Sequence, residues 1–186
     1  MLLAIGGGGY LWYRSQTASR VNVVPLAQLP KAERQKRRSQ AQKVVSEVET
    51  IARAAKRGEK KPFELTVSQD DLNTLIQDRL KTKNLPLENP RIGLQNGQLI
   101  MEADGKYKGV SGPVSLVGTV KAENGDMSFH VDSLTIVVVS APREWKEKVQ
   151  SAVDEGLKKA LREKGTTRID TVTIGDGTLT IRGQTA

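Results

Sequence analysis

The chain of 186 residues contains no cysteine. This absence excludes a disulfide framework, a thiolate zinc site, an iron–sulfur cluster and a thiol nucleophile, and it leaves the cellular compartment open. Histidine is almost as scarce. The single histidine, His130, lies between Ser128 and Asp132 on the polar side of an alternating stretch, which predicts a surface position.

Catalytic patterns are also missing. A Ser–His–Asp triad would have to use His130, and no nucleophile-elbow sequence accompanies it. The carboxylate pairs have neither calcium-loop spacing nor an apolar context that would raise a pKa for general acid work. The sequence therefore predicts a protein that is not an enzyme and that uses no metal or cofactor.

Aromatic residues number only seven, and three of them, Tyr10, Trp12 and Tyr13, end an uncharged segment. Rings at such a position are typical of a water–lipid interface. The others, Phe63, Tyr107, Phe129 and Trp145, do not alternate with cations as a base-stacking surface requires. The sequence thus argues against nucleic acid as a partner.

Positive charge is confined to one region. The formal net charge is +8, and residues 14–61 hold thirteen Lys and Arg against four acids, whereas residues 62–186 are nearly neutral. A protein that holds nucleic acid on its folded face would place its cations there. This uneven distribution of charge instead predicts a near-neutral domain that is tethered beside something both apolar and anionic. A membrane surface has both properties.

Residues 1–13 are interpreted as an apolar anchor. As a helix, the uncharged stretch 2–13 would reach about 18 Å, short of the roughly 30 Å hydrocarbon core, so we read it as part of a longer signal anchor. The alternative is a disordered apolar tail on a cytosolic protein. A phosphate loop is disfavoured, because the glycines at 6–9 lack a following Lys-Ser/Thr. The cations after residue 13 conflict with the positive-inside rule for an external domain and leave the orientation open.

Residues 14–30, with Pro25 and Pro30, predict a linker that extends about 50 Å. Residues 31–61 predict a basic helix whose second half carries an apolar stripe at 3.6-residue spacing. The stripe comprises Val44, Val45, Val48, Ile51, Ala52 and Ala55. The basic first half of the helix is a solvated face, a contact with anionic head groups or, least favoured, a contact with nucleic acid. The candidates for a membrane-surface role are Lys31, Arg34, Lys36, Arg37 and Arg38.

Residues 62–186 predict one α+β domain. Ser68 followed by acids at 70 and 71 is typical of a helix start, and Leu72, Leu75, Ile76 and Leu80 form one face of that helix. Three hairpin turns follow, at Asn96-Gly97, Asn124-Gly125 and Asp176-Gly177.

The strand after Gly112 alternates, with Val114, Leu116, Val120 and Ala122 on one face. The next strand begins in the same way at Met127, Phe129 and Val131, but from Leu134 to Val139 it reads as apolar on both faces. An amphipathic helix that starts at Pro142, or a bound apolar ligand, would cover the second face. Residues on one side of that helix include Trp145, Val149, Ala152, Val153, Leu157, Ala160 and Leu161.

This order of parts resembles the lipomannan-elongation-maintenance family of bacterial envelope phospholipid-binding proteins, which are related to tubular lipid-binding domains. The resemblance covers residues 63–183, from the Ser68 helix through the Asn-Gly hairpins and the aliphatic strand to the last hairpin at 169–183. It implies a curved antiparallel sheet wrapped around the helix after Pro142, acyl chains held between them, and an extracytoplasmic location. The inward positions that would match are Leu99, Met101, Val114, Leu116, Val120, Met127, Phe129, Val131, Val137, Val139, Trp145 and Val149.

The expected function is therefore non-catalytic binding or transfer of a phospholipid or another acyl-chain lipid at the bacterial envelope. The alternative is a membrane-tethered scaffold whose core is fully packed and whose basic helix binds a protein partner.

Overall fold

In the computed structural model, the described residues are 21–80, 87–107, 110–136, 139–140, 143, 147, 150–151 and 167–185. After a 3-10 turn at Leu26–Gln28, the elements are α1 (Lys31–Lys56), β1 (Pro62–Ser68), α2 (Gln69–Leu80), β2 (Leu87–Gln95), β3 (Gln98–Tyr107), β4 (Val110–Glu123), β5 (Asp126–Ile136), β6 (Val139–Ser140), β7 (Thr167–Gly175) and β8 (Thr178–Thr185). Arg143, Glu147, Gln150 and Ser151 are helical. The rest of the helix expected after Pro142 lies outside the described residues.

The strands form two antiparallel sheets, which confirms the α+β class. One sheet has five strands in the order β2-β3-β4-β5-β6, and the other has three in the order β1-β8-β7. Strand β1 was not predicted from the sequence, although Phe63, Leu65 and Val67 alternate there with polar residues. It pairs with β8, so the last hairpin belongs to a separate sheet.

All three predicted hairpin turns are present. Asn96 and Gly97 have φ of 52° and 73°, and Asn124 and Gly125 have φ of 54° and 84°. Positive φ at both central residues is the requirement of a type I′ turn, which Asn-Gly meets at low cost. At the third turn Gly177 has φ of 76°.

A β-bulge corrects the interpretation of β5. Val117 of β4 pairs with Ser133, whereas Gly118 pairs with Val131, so Asp132 is an extra residue in the β5 strand. One extra residue reverses the alternation of side chains. Leu134 and Ile136 therefore return to the face of Phe129 and Val131, and all four pack in one cluster. The prediction that β5 is apolar on both faces was wrong at these two residues, while Val137 and Val138 lie outside the described residues.

Gly118 permits the burial of Phe129. A Cβ atom on Gly118 would lie 2.4 Å from Phe129 Cζ and 2.4 Å from the His130 carbonyl oxygen, so the aromatic ring occupies the space above the glycine. Phe129 is only 2% exposed. His130, its neighbour on the opposite face, is exposed, which confirms the predicted surface position.

Residues 21–30, here named the strap, pack on the domain rather than extending as the second part of a linker. Val21 and Val23 lie against Ile100 and Val117 on the outer face of the five-stranded sheet. A Cβ on Gly93 would come 2.9 Å from Val21 Cγ2, so the glycine allows this close approach. Residues 14–20 lie outside the described part of the chain. The sequence suggested a linker because proline discourages helix, but proline does not prevent an extended segment from docking.

Helix α2 begins as predicted, with a capping box. Ser68 Oγ accepts a hydrogen bond from the Asp71 N–H at 3.1 Å, and Asp71 Oδ2 accepts one from the Ser68 N–H at 3.2 Å. Leu72 and Ile76 pack against Ile92, Leu94 and Leu179 in a cluster that joins the helix to both sheets. No helix within the described ranges is long and apolar enough to cross a membrane.

Candidate apolar binding site

Seven of the twelve predicted lipid-binding residues lie together on the inner face of the five-stranded sheet. They surround Leu134 as one apolar cluster, in which Leu116 and Phe129 are buried. The seven are Leu99, Met101, Val114, Leu116, Val120, Phe129 and Val131. They pack against one another, and the five other than Leu116 and Phe129 remain partly exposed in the described part of the chain.

Of the other five predicted residues, the structure describes the side chain of Met127 alone. Met127 lines a surface cleft described below. Val139 lies in β6, and nothing is described of its side chain. Val137, Trp145 and Val149 lie outside the described residues. The predicted site between this sheet and the helix after Pro142 therefore falls largely beyond the part of the chain that the structure describes.

An apolar cleft lies between α1 and the three-stranded sheet. Its volume is about 80 Å³, it opens to the surface, and its exposed lining is almost entirely apolar. Helix α1, three strands of one sheet and one strand of the other contribute to it. The lining residues are Val48, Ile51, Ala52, Phe63, Leu65, Met127, Thr167, Ile169 and Ile181.

The α1 wall of the cleft comes from the apolar stripe that the sequence predicted. Val48, Ile51 and Ala52 recur at helical spacing and face the sheet, while Ala54 and Ala55 are buried nearby. Small alanines let the helix approach the strands closely. The cleft lies where Val48, Ile51 and Ala52 of the helix and Phe63 of the sheet are partly exposed.

The sheet wall depends on a glycine and a bulge. A Cβ on Gly183 would lie 2.2 Å from the Arg168 carbonyl oxygen and 3.0 Å from Phe63 Cζ, so this glycine allows β7 and the Phe63 ring to approach. Asp170 is an extra residue in β7, between the pairs Ile169–Gly183 and Thr171–Arg182. The bulge directs Ile169 to the inner face, together with Val172 and Ile174.

Charged groups beside the sheet wall are paired with each other. Arg182 donates to both oxygens of Glu64 at 3.0 and 3.3 Å, and hydrogen bonding to that carboxylate raises the pKa of Arg182. Arg168 Nε lies 3.1 Å from Asp170 Oδ1. Because each arginine has its own carboxylate, these cations do not form a dedicated anion site. Affinity at the cleft must come mainly from apolar burial.

Two of the five predicted membrane-surface cations have a structural role. Arg37 lies 3.0 Å from Asp70 and 3.6 Å from Glu33, and Arg38 donates two hydrogen bonds to Asp78 at 2.9 and 3.2 Å. The pairs with Asp70 and Asp78 fix α1 on α2. Lys31 and Lys36 are exposed and Arg34 is half-buried, and none of the three forms an ion pair within the described ranges.

No group of three or more His, Asp or Glu side chains in the described part of the chain could hold a metal ion. The cleft itself presents a single polar side chain, Thr167, among its nine lining residues. Its composition suits the burial of hydrocarbon and offers no acid–base pair. Sequence reasoning missed Phe63, Leu65, Ile169 and Ile181 as lining residues, because their alternation indicates a buried face without indicating what covers it.

No protein-family model matches the chain, and no curated protein is significantly similar to it.

Proposed function

We propose that the protein is a non-catalytic binding module for the acyl chain of a phospholipid or a related lipid, tethered to a membrane of the bacterial envelope by residues 1–13. The observation that carries this proposal is the open apolar cleft between α1 and the three-stranded sheet. Its lining is almost entirely apolar and partly open to water, so covering it with hydrocarbon is favourable.

The energetics favour hydrocarbon as the ligand. Each buried methylene stabilises a complex by about 0.8 kcal/mol. The cleft, at about 80 Å³, is well below the roughly 300 Å³ at which small-molecule sites begin. It therefore accommodates the end of a chain, and a longer insertion requires Met127 or α1 to move. Methionine suits such a role, because its unbranched side chain adapts to irregular space.

The test is native mass spectrometry of the full chain, purified from cells without detergent, with α1 present because it forms one wall of the cleft. We expect a co-purifying phospholipid or fatty acid on the wild-type protein. Ala52→Trp fills the cleft and should remove the added mass. Thr50→Trp adds the same ring at an exposed position of the same helix and should retain it. A bare wild-type mass, or equal lipid on both variants, would contradict the proposal.

A scaffold role is the second candidate, and the packing of seven predicted lipid-binding residues against one another, with Leu116 and Phe129 buried, favours it. In that case the cleft is a packing defect, and the exposed cations of α1 would contact a protein partner. A bare mass for wild type, together with higher thermal stability of Ala52→Trp, is the outcome that this candidate predicts.

A further inference from the structure

The strap is docked on the domain from its first residue, Val21. Val21 is 4% exposed and packs on Ile100 and Val117. Farther along, the Leu26 N–H donates to Gln77 Oε1 at 2.8 Å, which fixes the strap to α2 as well. Residues 14–20 alone therefore separate this docked point from the aromatic end of the proposed anchor, and seven extended residues span at most about 25 Å.

This length restricts the orientation of the domain. A compact domain of about 165 residues has a diameter of about 40 Å, which exceeds the reach of the tether. The strap therefore cannot lie on the side of the domain that faces away from the bilayer. Thr66 and Thr173 lie on the far side, because the two sheets turn their inner faces toward a shared cluster and these threonines occupy the outer face of the three-stranded sheet.

The chemistry at the near side suits a bilayer surface. Val24 in the strap is a large hydrophobic residue that is 48% exposed. Lys31 follows the strap directly and Lys36 comes about 8 Å later along α1, and both side chains are exposed. Cations near an anionic surface contribute about 1 kcal/mol each, whereas Arg37 and Arg38 are already engaged by α2.

We infer that the strap and the first turns of α1, with Val24, Lys31 and Lys36, form the face that the protein presents to an anionic phospholipid bilayer. This rests on the proposed membrane anchoring and not on the cleft. The cleft opens near Val48, about 25 Å along the helix axis from Lys31. The proposed membrane-facing surface and the cleft are therefore separate sites on the protein.

The test uses the absence of cysteine, since a single introduced cysteine can be labelled selectively. The full chain carries one environment-sensitive fluorophore at Asn22→Cys or Val24→Cys on the near side, or at Thr66→Cys or Thr173→Cys on the far side, all exposed positions. It is bound to vesicles of phosphatidylcholine and phosphatidylglycerol with a spin label on the head groups. We expect several-fold stronger quenching at the two near positions than at the two far ones.

Two comparisons make the result decisive. Lys31→Glu combined with Lys36→Glu should weaken quenching at Val24→Cys in these vesicles and leave it unchanged in phosphatidylcholine alone. Equal quenching at all four positions, with the protein sedimenting with the vesicles, would overturn the inferred face and leave lipid binding in the cleft intact. Protein that stays in the supernatant would overturn the anchoring and the face together.

Discussion

The side-chain amide of Asn73 hydrogen-bonds both backbone groups of Ile92. Asn73 Oδ1 accepts from the Ile92 N–H at 2.8 Å, and Asn73 Nδ2 donates to the Ile92 carbonyl oxygen at 2.7 Å. The amide thus takes the place that a neighbouring strand would have. Since β2 is an edge of the five-stranded sheet, helix α2 completes a ladder that would otherwise be open.

The same pattern continues along the helix. Gln69 Oε1 accepts from the Leu94 N–H at 2.8 Å, and Gln77 Nε2 donates to the Pro90 carbonyl oxygen at 3.4 Å. Four helical residues rise about 6 Å and two strand residues about 6.6 Å, so amides at i, i+4 and i+8 meet alternate strand residues. The side-chain amide of Gln150 hydrogen-bonds the backbone of β5 in a similar way. Its Oε1 accepts from the Val131 N–H at 2.7 Å, and its Nε2 donates to the Phe129 carbonyl oxygen.

Asn73→Ala is expected to lower the free energy of unfolding by about 2–4 kcal/mol, because it leaves two backbone groups of Ile92 buried without their partner. Urea denaturation followed by circular dichroism measures the loss. Asn22→Ala, at an exposed position, is the control and should change stability by less than about 0.5 kcal/mol. A loss for Asn73→Ala as small as the control's would show that water replaces the amide at the edge.

Gly118→Ala should destabilise the protein by about 2–3 kcal/mol, since the added methyl group overlaps the Phe129 ring and the strand backbone. Gly97→Ala is the matched comparison. Nothing lies within 4 Å of a Cβ at Gly97, so only its φ of 73° opposes alanine, at a cost of about 1 kcal/mol. Thermal unfolding should place Gly118→Ala clearly below Gly97→Ala. The reverse order would mean that backbone conformation outweighs the contact with Phe129.

Val21 and Val24 test whether the strap is part of the folded unit. Val21→Ala removes two buried methyl groups and should cost about 1–2 kcal/mol, whereas Val24→Ala, at a half-exposed site, should cost less than about 0.5 kcal/mol. The two substitutions are identical in chemistry and lie in the same segment, so urea denaturation compares burial alone. Equal effects would indicate that the strap detaches from the sheet in solution.

Glu59 gives the stability a small dependence on pH. Its carboxylate contacts Lys61 Nζ at 2.6 Å and Arg57 Nε at 2.5 Å, and hydrogen bonding first to Lys61 and then to Arg57 lowers the pKa of Glu59 from 4.5. A lowered pKa in the folded state contributes stability above the unfolded value of 4.5, and this contribution is lost as pH falls through the folded pKa. Wild type should therefore exceed Glu59→Gln in stability at neutral pH.

The measurement for Glu59 is a pair of urea titrations at neutral pH and below the folded pKa. The stability advantage of wild type over Glu59→Gln should shrink toward zero in acid. Glu64→Gln, which removes the charge that pairs with Arg182, is the control. It shows whether losing another exposed ion pair has the same effect on stability. A difference between wild type and Glu59→Gln that is independent of pH would assign the effect to packing instead.

Local patterns predicted the features that depend on neighbouring residues. The Asn-Gly turns and the Ser68 cap are set by interactions within four residues, so the sequence indicates them directly. The bulge at Asp132 was missed because an extra residue is defined by the partner strand. As a result, Leu134 and Ile136 were assigned to the face opposite Phe129 and Val131, whereas all four share one face.

For the candidate site, the sequence identified the apolar faces but could not pair them. It predicted the stripe with Val48, Ile51 and Ala52 on α1, and it placed Met127 on the inner side of β5. It gave no sign that these residues meet Phe63 and Ile181 around one cleft. Periodicity shows which side chains seek burial, and only the tertiary arrangement of helix and sheets shows which of them stay partly exposed.

The sequence by itself determined the α+β class, the hairpins, the start of α2 and the concentration of positive charge in residues 14–61, because these follow from composition and short-range geometry. Tertiary structure decided that the strap docks on the sheet, that Arg37 and Arg38 bind α2, and that amides on α2 close the edge of β2. Each of these depends on partners far apart in the chain, and an amino acid's own chemistry limits its possible contacts without selecting one.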